Sequence, residues 1–524
     1  MKCRVSVVQF GVGTDVSANL TTCLRMIDAA AACEPDFIVL PEFSNHCAIY
    51  ESLEYADLVA LEYDGEFLSS IGAKASEHNT YIKINVTLRK SGDKPAVANL
   101  LYSPDGKLTG RADKQVLMGN ENNFCSRAET PGDIIETPFG PVGMYACADG
   151  LLMETTRLLA VRGAKLLLNS LNSFAECEAN LHIPVRAAEN GVFVAASCKV
   201  DYLVPKEILA GFAAKMKIRP EALQGAGESQ IVGPDGRVLA KAKRTGEDFV
   251  YADIDLDDCK TEKQLSNRRP MVYMPIAHKP PKREYSPGSG SVKAAVCQNI
   301  EAISKTDAKL IVLPELTGDI GAITAVLSDN YVVSSVREGD AHVGVLISRD
   351  GVIFRQKQIH FSATSPWATD LGDTVATFDL PFGRLVIVVG DDAKYPETFR
   401  LAAYQNAEIV AVPFAASERW LTEFGLVERA AENRFSIVAA TKQNMEFGEF
   451  GRGMIATVGS DFTLWTEWKT RPFDGNINFP IIHRSVGDVL EADIFPANSE
   501  NRLVSQQTDV VDGRAWWLLD GLVN

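Results

Sequence analysis

Nowhere in the 524 residues does an apolar run approach the roughly eighteen residues that a membrane span needs. Met1-Lys2-Cys3-Arg4 passes straight into Val5-Ser6-Val7-Val8, too short and interrupted for a signal h-region, so a cytoplasmic protein is expected. Basic excess is missing as well. Lys and Arg number 52 against 68 Asp and Glu, a net charge of −16 that argues against nucleic acid or an anionic membrane as partner. The ten cysteines contain no CxxC pair and no regular spacing, which excludes a zinc site and, in a reducing compartment, a disulfide framework. Gly11-Val12-Gly13 follows the first apolar strand, but no third glycine stands from Thr14 to Ser17, and a dinucleotide-binding reading is rejected. Neither metal nor organic cofactor is expected. What remains is an ordinary globular composition, 46% hydrophobic and 23% charged, in a chain long enough for two or more domains.

The most informative stretch runs from Val142 to Ser170. An apolar run, Val142 to Ala146, points into Cys147-Ala148-Asp149; Met153 to Arg162 follows with helical spacing, Gly163 stops it, and a second apolar run begins at Lys165. Strand, turn with cysteine, helix, strand is the pattern. Such a turn places Cys147 near a helix N-terminus, where free backbone N–H groups favour a thiolate and can hold an oxyanion.

Upstream, Val5 to Phe10 reads as a buried strand, Ala18 to Ala32 as an amphipathic helix, and Phe37 to Leu40 as a strand closed by Pro41-Glu42. Alternating strands and helices imply an α/β layered fold. Asn99 to Ser103 and Leu108 to Val116, the latter carrying Lys114, form two strands around a Pro-Asp-Gly turn. The stretch from Lys279 to Ser291 has linker composition.

The second half repeats the first. Leu310 to Glu315 matches the segment ending in Glu42, and Asp350-Gly351 with Lys357 matches Asp105-Gly106 with Lys114. Pro381-Phe382-Gly383 matches Pro138-Phe139-Gly140, and Arg429 to Asn433 repeats Arg186-Ala-Ala-Glu-Asn190 letter for letter. Three of these pairs (lysine, proline and arginine) are 243 residues apart, which predicts a tandem duplication. The same offset carries Cys147 onto Gly390. The second copy has also lost about thirty residues after Glu315, while the first carries about seventeen extra near Leu203 to Leu223, a candidate flap.

Leu40-Pro41-Glu42, Lys114, Cys147-Ala148-Asp149, Glu154, Arg157, Gly163-Ala164 and Arg186 to Asn190, in this order, resemble the nitrilase superfamily of carbon-nitrogen hydrolases. The resemblance implies two αββα four-layer sandwiches in tandem, packed as an internal pseudo-dimer. Expected boundaries are a catalytic domain over 1–278, a linker over 279–291, a catalytically inactive copy over 292–487 and a tail over 488–524 whose Trp516-Trp517 docks across the pair. It further implies a Glu42, Lys114, Cys147 triad that attacks an amide or carbamoyl carbon through a thioester. A second glutamate is common between the lysine and the cysteine. Counting forward from Lys114 offers Glu121, with Glu129 as an alternative, whereas counting back from Pro131-Gly132 lands on Cys125. Ala148, Asp149 and Asn172 are expected around the substrate and oxyanion. Cys-Ala-Asp, where nitrile hydrolases usually have Cys-Trp-Glu, leans toward an amidase.

Glu154 and Arg157 read as a helix-face ion pair at i, i+3, Glu189 and Asn190 as loop anchors, and Arg186 or His182 as candidates for meeting a substrate carboxylate. Glu315 and Lys357 read as surviving members of a dead site. The expected partner is a small amide or carbamoyl compound, with a homo-oligomer left open. Alternatives are a nitrilase, a soluble N-acyltransferase, or a non-catalytic binding or scaffold protein.

Overall fold

The computed structural model describes all residues except 284–287, 289 and 460–472, so part of the expected linker lies outside the described residues. Each half builds two six-stranded sheets. In the first half one sheet runs Asp248–Asp255, Lys2–Gln9, Phe37–Val39, Tyr81–Leu88, Ala96–Tyr102, Leu108–Asp113, and the other Val238–Lys241, Gln230–Val232, Phe193–Cys198, Leu166–Leu171, Gly140–Ala146, Ile134–Thr137. Central strands pair in parallel and the edges antiparallel. Phe37–Val39 and Leu166–Leu171 are buried along their whole length because one sheet covers the other and helices cover the outer faces.

The outer layer of the first half is made by helices Val16–Ala31 and Glu66–Glu77. Asp15 starts the first, its Oδ1 accepting from Ser17 N at 2.9 Å and Ala18 N at 3.0 Å. Helices Met153–Val161 and Ile183–Asn190 cover the other sheet and face the second half, where Pro396–Tyr404 and Leu426–Asn433 meet them. One apolar cluster, including Leu158, Val185 and Ala188 with Phe399, Leu426 and Ala430, crosses between the halves. The expected internal pseudo-dimer of αββα units is thus present.

Charge organises this interface. Arg157 donates to Glu397, and Arg400 pairs with Glu154 at 2.7 Å; Arg186 reaches Glu432 at 2.9 Å, and Arg429 reaches Glu189. The expected Glu154–Arg157 pair within one helix is therefore replaced by reciprocal pairs across a pseudo-two-fold axis. Arg186 and His182, expected near substrate, are likewise consumed here: both reach Glu428 of the second half.

The second half keeps its sheets but has eroded its outer helices. A short turn, Glu301–Lys305, stands where the first half has Val16–Ala31, and a six-residue helix, Ile320–Ala325, where it has Glu66–Glu77. Val489–Ile494 lies beyond the boundary expected at 487, yet pairs with Val292–Cys297 as a sheet edge. Beyond it the tail docks across the halves: Arg514 bonds Glu154 at 2.9 Å, Leu519 and Leu522 enter the shared cluster, and Trp517 Nε1 donates to Ala128 O at 3.4 Å.

Candidate active site

Glu42 leaves the C-terminal end of Phe37–Val39 one residue after Pro41 and is wholly buried. Phe43 beside it takes the left-handed φ of 51° and is held by Asn85 Oδ1 on its N–H at 2.9 Å. Lys114 stands just past the end of Leu108–Asp113, also wholly buried. Its Nζ lies 2.7 Å from Glu42 Oε1 and 2.7 Å from Glu121 Oε2. Burial opposes the ammonium, but the Glu121 and Glu42 carboxylates outweigh it and hold its pKa well above the ordinary lysine value. Glu121 Oε2 also accepts from Met118 N at 2.9 Å. The other two candidates stand apart: Glu129 is exposed and paired with Lys90, and Cys125 is buried among Phe43, Tyr50 and Leu117.

Cys147 follows Gly140–Ala146 with a φ of 46°, a strained angle for a residue with a Cβ, and opens the tight turn Cys147–Gly150. Five hydrogen bonds hold the turn. Cys147 N donates to Asn169 Oδ1 at 3.1 Å; Arg186 Nε donates to Gly150 O at 2.8 Å; Asp149 accepts from Gln115 N at 3.0 Å, Val116 N at 2.8 Å and Ala146 N at 3.2 Å. Asp149 therefore braces the Lys114 segment against the cysteine turn and does not face substrate. Helix Met153–Val161 begins only after Leu152, so its N-terminus is not at the sulfur. Burial first, then Glu42, push the thiol pKa well above its ordinary value, with Lys114 offsetting part.

Cys147, Glu121 and Asn172 open onto one cavity of about 150 Å³, whereas Ala148 is buried behind it. Among the described residues, Asn172 Oδ1 has no hydrogen-bond partner, and neither has Glu42 Oε2. Among the described lining residues, Ile477 and Ser505 come from the other half. Close by, Thr508 Oγ1 accepts from Gly119 N and donates to Leu117 O, both at 2.9 Å, clamping the loop that carries Glu121.

Two buried lysines went unnoticed in the sequence. Lys83 Nζ donates to Ser170 Oγ. Lys199 Nζ has no hydrogen-bond partner among the described residues, lies 5.6 Å from the Phe43 ring centroid, as does Lys114, and is pulled down to about 8 by burial. A lysine interrupting an apolar strand, or ending one, was the available signal.

The second copy corrects one correspondence. Lys114 N bonds Val97 O at 2.8 Å, and the equivalent bond, Gln358 N to His342 O at 2.8 Å, makes Gln358 the counterpart of Lys114. Lys357 instead points outward and pairs with Asp370 at 2.7 Å. Gly390, at a φ of 55°, is crowded by side chains: an added Cβ would lie 2.8 Å from Gln358 Oε1, which would have to shift, and 3.1 Å from Glu315 Oε2.

Residues 4–264 match the carbon-nitrogen hydrolase family. The chain is 27% identical over 279 residues to an aliphatic nitrilase of Sinorhizobium fredii strain HH103, covering 49% of this chain and 88% of that protein. It is 28% identical over 265 residues to the omega-amidase of Bos taurus, covering 48% and 88%. Among solved structures it is similar to the C. elegans NitFhit protein, with a TM-score of 0.45 at 22% identity over 52% of this chain and 66% of that one. With the paired sheets and the ordered motifs of its first half, the chain belongs to the nitrilase superfamily of carbon-nitrogen hydrolases.

Proposed function

We propose that this carbon-nitrogen hydrolase is a cysteine amidohydrolase acting on a small-molecule amide through a thioester on Cys147. The observation that carries the reading is the buried Lys114 held between Glu42 and Glu121, 2.7 Å from each, with Glu121 and Cys147 lining one cavity. An amide carbonyl needs a nucleophile, a proton shuttle and positive charge where the oxyanion develops. The Cys147 thiol supplies the first. Its proton passes to Glu42 as sulfur bonds the carbonyl carbon; Glu42 returns that proton to nitrogen as the C–N bond breaks and ammonia or an amine leaves. Water, deprotonated by Glu42, then attacks the thioester carbon; the C–S bond breaks, Glu42 returns the proton to the departing sulfur, and the acid leaves.

Lys114 faces the oxyanion, and Glu121 keeps its ammonium aimed and charged. Asn169 already occupies the backbone N–H of Cys147, so oxyanion stabilisation falls mainly to Lys114. The test is intact-protein mass spectrometry with ammonia detection, on wild type and Cys147→Ser, after incubation with neutral primary amides. An acyl adduct and ammonia in wild type that vanish in the variant support the reading. Turnover surviving in Cys147→Ala would sink it.

A further inference from the structure

The insertion Leu203 to Leu223 is a closed excursion rather than an open loop. Leu203 N bonds Leu223 O at 3.0 Å, Tyr202 and Gln224 form an antiparallel bridge, and Gly225 N bonds Asp201 O at 2.7 Å. Helix Lys206–Met216 spans the excursion and turns an apolar side inward: Leu203, Val204, Phe212, Met216 and Leu223 all line the cavity that Cys147 faces. Met118, Leu151 and Phe174 complete that surface from the first half, and Ile477 closes it from the second.

Charge on the described wall is of one sign, from Glu121 and Glu178. Glu121 is engaged by Lys114. Glu178 is 6% exposed, and burial raises its pKa above the ordinary glutamate value. The groups placed to neutralise a substrate carboxylate, His182 and Arg186, are turned to Glu428 in the interface, 2.9 Å away for His182. Desolvating an unpaired carboxylate in such a pocket is strongly unfavourable.

Resting on the amidohydrolase reading, we infer that the substrate is an uncharged primary amide with a compact apolar acyl chain, and that the insertion together with Ile477 forms its acyl subsite. A cavity of about 150 Å³ is the size that takes one benzene-like group, so the fit is an amide of about seven heavy atoms. A dicarboxylic acid half-amide is excluded by sign, and a cationic one by the apolar surface around its far end. Phe212, on a surface helix, and Ile477, from the copy without a nucleophile, set chain length.

The experiment uses the full chain and three amides of nearly equal size: pentanamide, 4-aminobutanamide and succinamate. Ammonia release should give pentanamide a kcat/KM at least about 100-fold above the other two, because a buried charge is refused far more strongly than a methyl group is preferred. Phe212→Ala should move the optimum to a longer chain such as heptanamide, through KM. Phe212→Lys should narrow the pentanamide-to-succinamate ratio by about 10-fold or more. Equal or better turnover of succinamate or 4-aminobutanamide by wild type would overturn the apolar subsite and leave the hydrolase intact. An unchanged chain-length optimum in Phe212→Ala would also overturn it. Ammonia and a Cys147 adduct absent with every compound would overturn the hydrolase reading and this inference with it.

Discussion

Arg157 of the first copy donates two hydrogen bonds to Glu397 of the second, Nε to Oε1 at 2.8 Å and Nη2 to Oε2 at 3.2 Å, with both side chains wholly buried. Arg268 adds a third bond to the same carboxylate at 2.9 Å. Glu397→Ala would strand two buried guanidinium groups, and a loss of about 3–5 kcal/mol in denaturant unfolding is expected. Arg157→Leu combined with Glu397→Leu should lose less than Glu397→Ala.

The same pair sets a pH dependence. Burial disfavours the Glu397 carboxylate, but Arg157 and Arg268 more than reverse this and hold its pKa far below the ordinary glutamate value. A depressed carboxylate contributes stability that is present above its unfolded pKa of about 4.3 and fades as pH falls toward the folded value. Thermal unfolding between pH 6 and pH 3 should show a steep acid limb in wild type and a shallower one in the double leucine variant. Equal slopes would contradict this.

Cys147, the proposed nucleophile, has a φ of 46°. Relieving a left-handed angle with glycine is worth about 1 kcal/mol, so Cys147→Gly should match or exceed Cys147→Ala in stability while both are inactive. Parallel urea melts with an ammonia assay would decide. A less stable glycine variant would mean the turn is not strained.

Gly390→Ala in the second copy should cost about 1–3 kcal/mol, since the new methyl meets Gln358 Oε1 at 2.8 Å and the backbone is left-handed. Adding Gln358→Ala should recover part of this as a coupling energy. Gly390→Cys is expected to leave turnover unchanged, because Gln358 and not a lysine occupies the place of Lys114. Ammonia release by Gly390→Cys in a Cys147→Ala background would disprove this.

Thr508→Val removes both bonds to the Leu117–Gly119 backbone, each 2.9 Å in the native chain. Leaving that buried N–H and C=O unpaired costs about 1–3 kcal/mol, and loosening of the adjoining Glu121 loop should lower kcat by about 10-fold. A kcat within twofold of wild type would show that the clamp does not reach Glu121.

Much of this was legible in the sequence because the repeat preserves residues with fixed structural duties. Pro-Glu after an apolar strand, the cysteine turn and Arg-Ala-Ala-Glu-Asn all mark strand or helix ends, and the structure brings Glu42, Lys114 and Glu121 together there. The second copy's lysine was misread because letters were matched rather than ladders: hairpin registers shift at Leu101/Tyr102 and Leu346/Ile347, and the true counterpart, Gln358, is one residue on. Glu154 and Arg157 sit at helical spacing, yet each finds its partner 240 or more residues away, which only tertiary packing reveals. Lys199 was invisible for a similar reason, since the Phe43 ring it lies over belongs to a segment more than 150 residues earlier in the chain. Asp149 was taken for a substrate neighbour because it follows the nucleophile, although its oxygens turn back to the backbone.

The hairpin that clamps the Glu121 loop is synthesised about 360 residues after Cys147, and Ile477 about 330 residues after it. A ribosome that has delivered the first half has therefore delivered the nucleophile without its finished pocket. Any chain interrupted between them carries Cys147 in a cavity that lacks the wall supplied by Ile477 and Ser505 and a loop that lacks the Thr508 bonds.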